Sequence, residues 1–438
     1  MPKVAIVRYE EPGESVRQAV ELSQGLAGLP QGAKVFLKPN IVFWTKAVPF
    51  PKWGVITTSR VVEDLVVLLK EAGAAQITIG EGMVMYDPKD TATPAHAFET
   101  LGYNELGRRY GVKTVNVFER PFRQVDLGDG VELAFNVDAL DSDFLVDLPV
   151  MKTHAQARLS LGLKNLKGLI DIPSRKKCHN AEPGRGLDFM VSHLAQALPP
   201  MFTLVDGIYT IERGPSFDGK VHRSNLLAAS ADLLSADFAA ARLLGHDPAE
   251  VPHLALAAAR AGRPTDLSDV EVKGLDPAEV GTYHGWDYEY TPDGSLPLPM
   301  VKAGVAGLAF YKYDDTLCTY CSGLNGIMLA AISLAWQGKP FDEVEVLTGK
   351  AMAPRGQAHK TILVGKCMYQ AHKDNPAIQE MLAIKGCPPK AEQIVTALHQ
   401  AGIPVNEAMF EHMDQLPGFF MGRYAGRPEF EEAHFQVA

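Results

Sequence analysis

The chain has 438 residues, 46% of them apolar and 21% charged, with a formal net charge of −10. That is the composition of a globular protein with more chain than one ordinary core takes up. The acidic balance argues against a duplex-binding surface. No apolar run approaches the roughly 20 residues that cross a bilayer, and the stretch Met1–Val7 is too short for a signal-peptide core. A cytoplasmic protein with neither nucleic acid nor membrane as partner is expected.

Taken in chain order, strand-like and helix-like segments alternate. Val4–Val7 reads as a strand and Glu14–Leu26 as a helix. Lys34–Leu37 is a strand ending in Lys38-Pro39-Asn40. Val61–Lys70 is a helix stopped by Gly73. Gln76–Ile79 is a strand ending in Gly80-Glu81-Gly82. Strands follow at Phe144–Leu148, Thr203–Val205 and Leu226–Ala229, and helices at Leu187–Leu198, Leu234–Leu244 and Val251–Ala259. The alternation predicts an α/β fold: a mostly parallel sheet flanked by helices. Between 263 and 300 prolines and glycines accumulate and the pattern weakens, which marks a connecting segment between a domain at 1–262 and a second, smaller α/β domain at 301–438. There, Ile327–Trp336 reads as a helix, Val344–Leu347 and Thr361–Val364 as strands, and Ala391–Leu398 as a helix begun by Pro388 and Pro389.

Polar residues gather where strands of the first domain end, which is where parallel sheets build ligand sites. Lys152 and His154 follow Phe144–Leu148. Lys164, Asn165 and Lys167 come shortly after, with the two lysines spaced to share a helix face. Lys38, Asn40, Glu81 and Asp206 hold equivalent strand-end positions, and His179 joins them as a further candidate. The set predicts a pocket for a small anionic molecule, bound by Lys38, Asn40, Glu81, Lys164, Asn165, Lys167, His179 and Asp206. Lys152 and His154 are its candidate catalytic groups, and His154 is suited to acid–base work near neutral pH. Each residue alone is equally well read as a solvated lysine or a strand-capping histidine. No dinucleotide fingerprint and no phosphate-binding G-x-x-x-x-G-K-[ST] loop occurs, so bound nucleotide is not expected.

Five cysteines in so long a chain do not make a disulfide framework, and four lie in the last third. Cys318 and Cys321 form a C-x-x-C pair, Cys367 follows a strand, and Cys387 precedes a helix. Strand ends and helix starts meet along one edge of a parallel sheet, so these four converge naturally as metal ligands. Helix N-termini favour an anionic centre. Zinc sites usually pair two short C-x₂₋₄-C knuckles, whereas here the third and fourth cysteines stand alone, a spacing that a 4Fe–4S cluster accepts. Zinc remains the alternative cofactor. Gly386-Cys387-Pro388-Pro389 resembles cluster-binding loops of hydrogenase small subunits. Cys178, beside Arg175, Lys176 and Lys177, reads as an exposed loop cysteine and is left out of the ligand set.

Lys38-Pro39-Asn40, Gly80-Glu81-Gly82, Lys152-Thr153-His154, Lys164-Asn165-Leu166-Lys167-Gly168 and Val205-Asp206-Gly207 occur in this order. So do Ser235-Ala236-Asp237 and Leu244-Gly245-His246-Asp247-Pro248. Over roughly residues 3–255 the chain thereby resembles the family known as domain of unknown function 362. The resemblance implies an α/β fold and a link to iron–sulfur chemistry. Many members carry a ferredoxin-like tail with tightly spaced cysteines. This sequence departs from that pattern, having one C-x-x-C, which implies a single cluster.

The expected function is that of an iron–sulfur protein with one 4Fe–4S cluster, an oxidoreductase or electron-transfer protein acting on a small anionic substrate with a redox partner protein. Two alternatives stand beside it: a metal or cluster carrier without turnover, and a zinc-site hydrolase or transferase.

Overall fold

The computed structural model describes residues 1–84, 87 and 89–438. In chain order the strands are β1 (Lys3–Arg8), β2 (Lys34–Pro39), β3 (Gln76–Glu81), β4 (Lys113–Asn116), β5 (Phe122–Asp126), β6 (Glu132–Asn136), β7 (Phe144–Leu148), β8 (Val150–His154), β9 (Arg158–Ser160), β10 (Met201–Glu212), β11 (Lys220–Ser230), β12 (Glu271–Gly274), β13 (Leu308–Phe310), β14 (Val344–Leu347), β15 (Lys360–Val364) and β16 (Glu380–Ile384).

The fold is mixed α/β, as expected. Its larger sheet runs β12-β1-β11-β10-β7-β2-β3-β4, with β8 pairing β10 and β9. From β10 to β4 each neighbour is parallel. Strands β2, β3 and β7 are buried almost throughout, as parallel strands inside a sheet are. The helices Glu14–Ser23 and Ser59–Glu71 bury Val16, Ala19, Val61, Leu65 and Leu69 at helical spacing. The first of these ends earlier than the sequence suggests, at Gln24, whose left-handed φ of 54° closes the turn. Leu187–Leu198, expected as one helix, is helical only over Leu187–Val191.

The chain divides into two compact units: 1–174 with 188–287 and 415–438, and 175–187 with 288–414. A single linear cut near 263–300 misses both exchanges. The last segment belongs to the first unit because its aromatic side chains complete that core. Phe430 packs 5.1 Å from the Trp53 ring and 4.8 Å from that of Tyr424, and the Tyr424 hydroxyl accepts a hydrogen bond from Val221 N at 2.8 Å. The connecting segment also hides a strand, since β12 pairs in parallel with β1.

The second unit is a parallel sheet in sequential order, β13-β14-β15-β16. Its core contains Phe310, Leu324, Met328, Val346, Ile362, Ile384 and Leu398. The helix expected at Ile327–Trp336 extends over Thr319–Ala335, with Cys318 as its N-cap. The last helix runs Ala391–Gln400, and its N-cap is Lys390, whose backbone N–H donates to Gln393 Oε1 at 3.2 Å. Pro388 and Pro389 therefore precede that helix rather than open its first turn. No helix among the described residues is long and apolar enough to cross a membrane.

Candidate functional site

Each cysteine of the expected ligand set lies past the C-terminal end of a strand in the second unit. Cys318 and Cys321 follow β13, Cys367 stands in the first turn of the helix Gly365–His372 after β15, and Cys387 follows β16. Parallel strands point the same way, so these loops share one edge. Two contacts draw them together. Lys366 N donates to Gly386 O at 3.0 Å. A β-carbon placed on Gly365 would lie 3.7 Å from Cys321 Sγ, and Gly365 holds φ +90°, which only glycine adopts without strain.

The thiols influence one another. The Cys318 thiol is held below the usual thiol range, because Cys321 donates a hydrogen bond to it and because the backbone N–H groups of Tyr320 and Cys321 point at it, with Lys350 adding positive charge. Cys321 moves the opposite way, raised by that same bond, by burial and by the charges of Cys318, Cys387 and Cys367. Cys367 is raised by burial, and Lys350 and Lys176 oppose the shift. Lys176 Nζ lies 3.6 Å from Cys387 Sγ, and Lys350 Nζ donates to Lys176 O at 3.2 Å. Four thiol donors with two ammonium groups beside them match the chemistry of an anionic thiolate centre. A single ion needs every sulfur about 2.3 Å from one point, whereas a four-iron cluster takes one thiolate on each iron. Among the described residues no three His, Cys, Asp or Glu groups are placed to hold one ion.

Two residues near this edge differ from expectation. Cys178 is fully buried instead of exposed, because the turn carrying it folds inward with Arg175 and His179. His179 lies in the second unit, where its Nδ1 meets Asp315 O at 2.7 Å.

The polar residues of the first unit do converge, but inside the protein. Lys38 and Asp147 are register partners on adjacent strands β2 and β7. Lys38 Nζ donates to Glu81 Oε1 and Oε2 at 3.1 and 3.0 Å, to Asn165 Oδ1 at 3.1 Å and to Pro39 O at 3.0 Å. Glu81 also accepts from Ile41 N and Gly82 N. Lys152 Nζ donates to Asn40 Oδ1 at 2.6 Å and Val55 O at 2.9 Å, and Asn40 Nδ2 donates to Asn165 Oδ1 at 2.8 Å. Lys38 and Lys152 are both 0% exposed. They were expected to face an anionic ligand, yet these donors are spent on protein acceptors, because leaving a buried ammonium unpaired is costly. Burial lowers Lys152 to about 7.

Asp206 accepts from Thr58 N at 2.7 Å, from the Thr58 hydroxyl and from Ile208 N, which makes it a buried brace between segments. His154 Nδ1 accepts from Gln156 N and Ala157 N at 3.1 and 3.2 Å, capping the turn between β8 and β9 and leaving the neutral ring's proton on Nε2. Lys164 and Lys167 are partly buried, in the short helix Gly162–Asn165 and the 3₁₀ turn Leu166–Leu169.

Sequence reasoning missed Asp147, and it named Asp237 only within the motif Ser235-Ala236-Asp237, not as a site residue. Asp147 interrupts the apolar run of β7, and a lone carboxylate in a buried strand was the available signal. Its Oδ1 accepts from Asn165 Nδ2 at 2.8 Å, its Oδ2 has no hydrogen-bond partner among the described residues, and burial raises it well above the usual carboxylate range. Asp237 accepts from Gly162 N and Leu163 N at 2.7 and 2.8 Å, and burial raises it to about 7. Lys176 and Lys350 were also missed; Lys350 had a strand-end position, and Lys176 no signal beyond its neighbours' charge.

The first unit is thus an α/β domain whose strand ends enclose a buried charged network, and the second a parallel α/β domain bearing four cysteines on one edge. Residues 35–242 match the family model described as domain of unknown function (DUF362). A curated relative, the thylakoid-associated protein sll1697 of Synechocystis sp., is 28% identical over 246 residues, covering 55% of this chain and 72% of the relative. Two solved structures are more distant. The lactate racemase apoprotein of Thermoanaerobacterium thermosaccharolyticum matches with a TM-score of 0.35 and 16% identity over 55% of this chain and 57% of that one. A protein from Thermotoga maritima matches at 0.24 and 13%, over 47% and 53%. The chain spans little more than half of each of these structures.

Proposed function

We propose that the second unit binds one 4Fe–4S cluster through Cys318, Cys321, Cys367 and Cys387, and that the protein transfers single electrons between a small anionic substrate and a redox partner protein. The observation that carries this reading is the placement of all four cysteines on one sheet edge, with Lys176 against Cys387. The cluster supplies a one-electron redox couple. The chain's own residues set its environment: the N-terminus of Thr319–Ala335 offers backbone N–H groups at Cys318, and Lys176 and Lys350 offset thiolate charge. For the anionic substrate, the partly buried Lys164, Lys167 and His154 remain the groups of the first unit to consider, since Lys38 and Lys152 are internally paired.

The exposure of Cys367 and Cys387 supports a second reading, in which the centre is handed to a client protein and no turnover occurs. Anaerobic purification with iron, sulfide and zinc analysis tests the main proposal. Brown protein with about four irons and four sulfides per chain is expected. Colourless protein with one zinc per chain would overturn it. Quantitative cluster transfer to an apo-ferredoxin, with no reduction of any carrier, would favour the second reading.

A further inference from the structure

The edge that holds the cysteines is also where the second unit concentrates positive charge. Lys366 adjoins Cys367, and Lys385 and Lys390 flank Cys387; all three are exposed. Lys312, past the end of β13, is exposed as well. Lys385 Nζ stands 4.4 Å above the Tyr369 ring, which carries it over the helix that bears Cys367. Lys176 and Lys350 lie deeper, beside the thiols themselves.

Most acids of this edge are engaged at close range, the exception being the exposed Glu392 in the first turn of Ala391–Gln400. Asp314 accepts from Thr316 N, Asp315 from Leu187 N, and Asp293 holds Arg355 at 3.3 Å. At the opposite ends of the same strands both signs occur: Asp342, Glu343 and Glu380 are exposed there beside Lys339, and Asp342 pairs with His359 and Lys360. A chain of net charge −10 thus keeps a cationic patch around the exposed Cys367 and Cys387.

Charge of one sign around a reactive group raises the encounter rate with a partner of the other sign and aligns its approach. We infer that this edge is the docking surface for an acidic protein, a small one-electron carrier whose negative face meets Lys312, Lys366, Lys385 and Lys390. The inference rests on the cluster reading for what the partner exchanges, but the docking itself depends only on surface charge. A protein is favoured over an anionic membrane or a nucleic acid because Lys366, Lys385 and Lys390 stand within three residues of Cys367 or Cys387, so that whatever they attract is brought to the redox group.

The probe is a plant-type 2Fe–2S ferredoxin immobilised on a sensor surface, and the analyte is the full chain. Binding should weaken at least tenfold between 50 and 300 mM salt. The triple substitution Lys366→Glu, Lys385→Glu, Lys390→Glu should weaken it at least tenfold at 50 mM. Lys339→Glu, an exposed position before β14 on the opposite edge, should leave it unchanged. Equal binding by the triple variant and the native chain overturns the inference. So does tighter retention on vesicles of anionic lipid, or on single-stranded RNA, that is lost in the same triple variant. Metal analysis of the same samples keeps the two readings apart: zinc or no metal with charge-dependent ferredoxin binding defeats the cluster and leaves the docking surface standing, whereas iron with charge-independent binding does the reverse.

Discussion

Lys176 Nζ lies 3.6 Å from Cys387 Sγ, although 211 residues separate them in the chain. Lys176 belongs to the segment 175–187, which leaves the first unit's sequence to complete the second. An ammonium at this distance stabilises charge on the sulfur, and hydrogen bonds to cluster sulfurs are among the levers that set a cluster's potential.

Lys176→Gln removes that charge and makes accepting an electron less favourable. The reduction potential of the iron-loaded protein should move negative by on the order of tens of millivolts. Redox titration followed by electron paramagnetic resonance reads the shift; a potential equal to that of the native chain would show that Lys176 does not act on the centre.

Cys387→Ser exchanges a soft thiolate for a hydroxyl. Iron and sulfide content should fall well below those of the native protein, and the brown colour should fade, whereas Cys178→Ser should leave both intact. Loss of iron from the Cys178 variant in a folded protein would require a different ligand set.

Glu81→Gln leaves the buried Lys38 ammonium without its counter-charge. Truncating one partner of a buried pair costs about 3–5 kcal/mol, and both groups here are nearly inaccessible. Urea denaturation should show a loss of this size. A change under 1 kcal/mol would mean that the pair is not enclosed in solution.

Stability should respond to pH in two windows. Burial raises Asp237 from 3.8 to about 7, so between those values the folded chain keeps a proton that the unfolded chain has released, and stability falls as pH rises. Burial lowers Lys152 from 10.5 to about 7, so above 7 the unfolded chain holds the extra proton, and stability rises with pH. Asp237→Asn should flatten the acid arm and Lys152→Met the alkaline arm, as read from urea midpoints between pH 4.5 and 9.5. Slopes that match the native protein in both variants would assign the pH dependence to other groups.

Gly168→Ala and Gly326→Ala should differ in sign. A β-carbon at 168 would lie 2.4 Å from Glu81 Oε1 and 2.5 Å from Lys38 Cε, in a network with no room to yield, whereas one at 326 meets nothing within 4 Å. The first should destabilise by about 1–3 kcal/mol. The second, inside the helix Thr319–Ala335, should stabilise by about 0.5–1 kcal/mol. Thermal melts of both variants check the pair.

Much of the architecture was legible in the sequence because its signals are local. The apolar run of β2, the amphipathic spacing of Ser59–Glu71 and the glycine stop at Gly73 each act within a few residues. So did the placement of the four cysteines at element boundaries, since parallel strands put such boundaries on one edge. Local signals failed where pairing is long-range. The short strand β12 has no pattern of its own and exists because β1 offers an open edge. The segment 415–438 is rich in Phe and Tyr, but nothing local says which unit they join; it is placed by the contacts of Phe430 with Trp53 and Tyr209.

The sequence by itself determined the α/β class, the family motifs over roughly residues 3–255, and the cysteines offered as a ligand set. Only the tertiary structure decided what the lysines do. Lys38 and Lys152 occupy strand ends that suit an anion pocket, yet burial sets the cost of a bare ammonium so high that Glu81, Asn40 and Asn165, distant in sequence, take its hydrogen bonds. Lys176, which carried no signal of its own, is brought to Cys387 by the path of the chain. Charge and residue type are written locally, whereas solvent access and partner identity are properties of the folded whole.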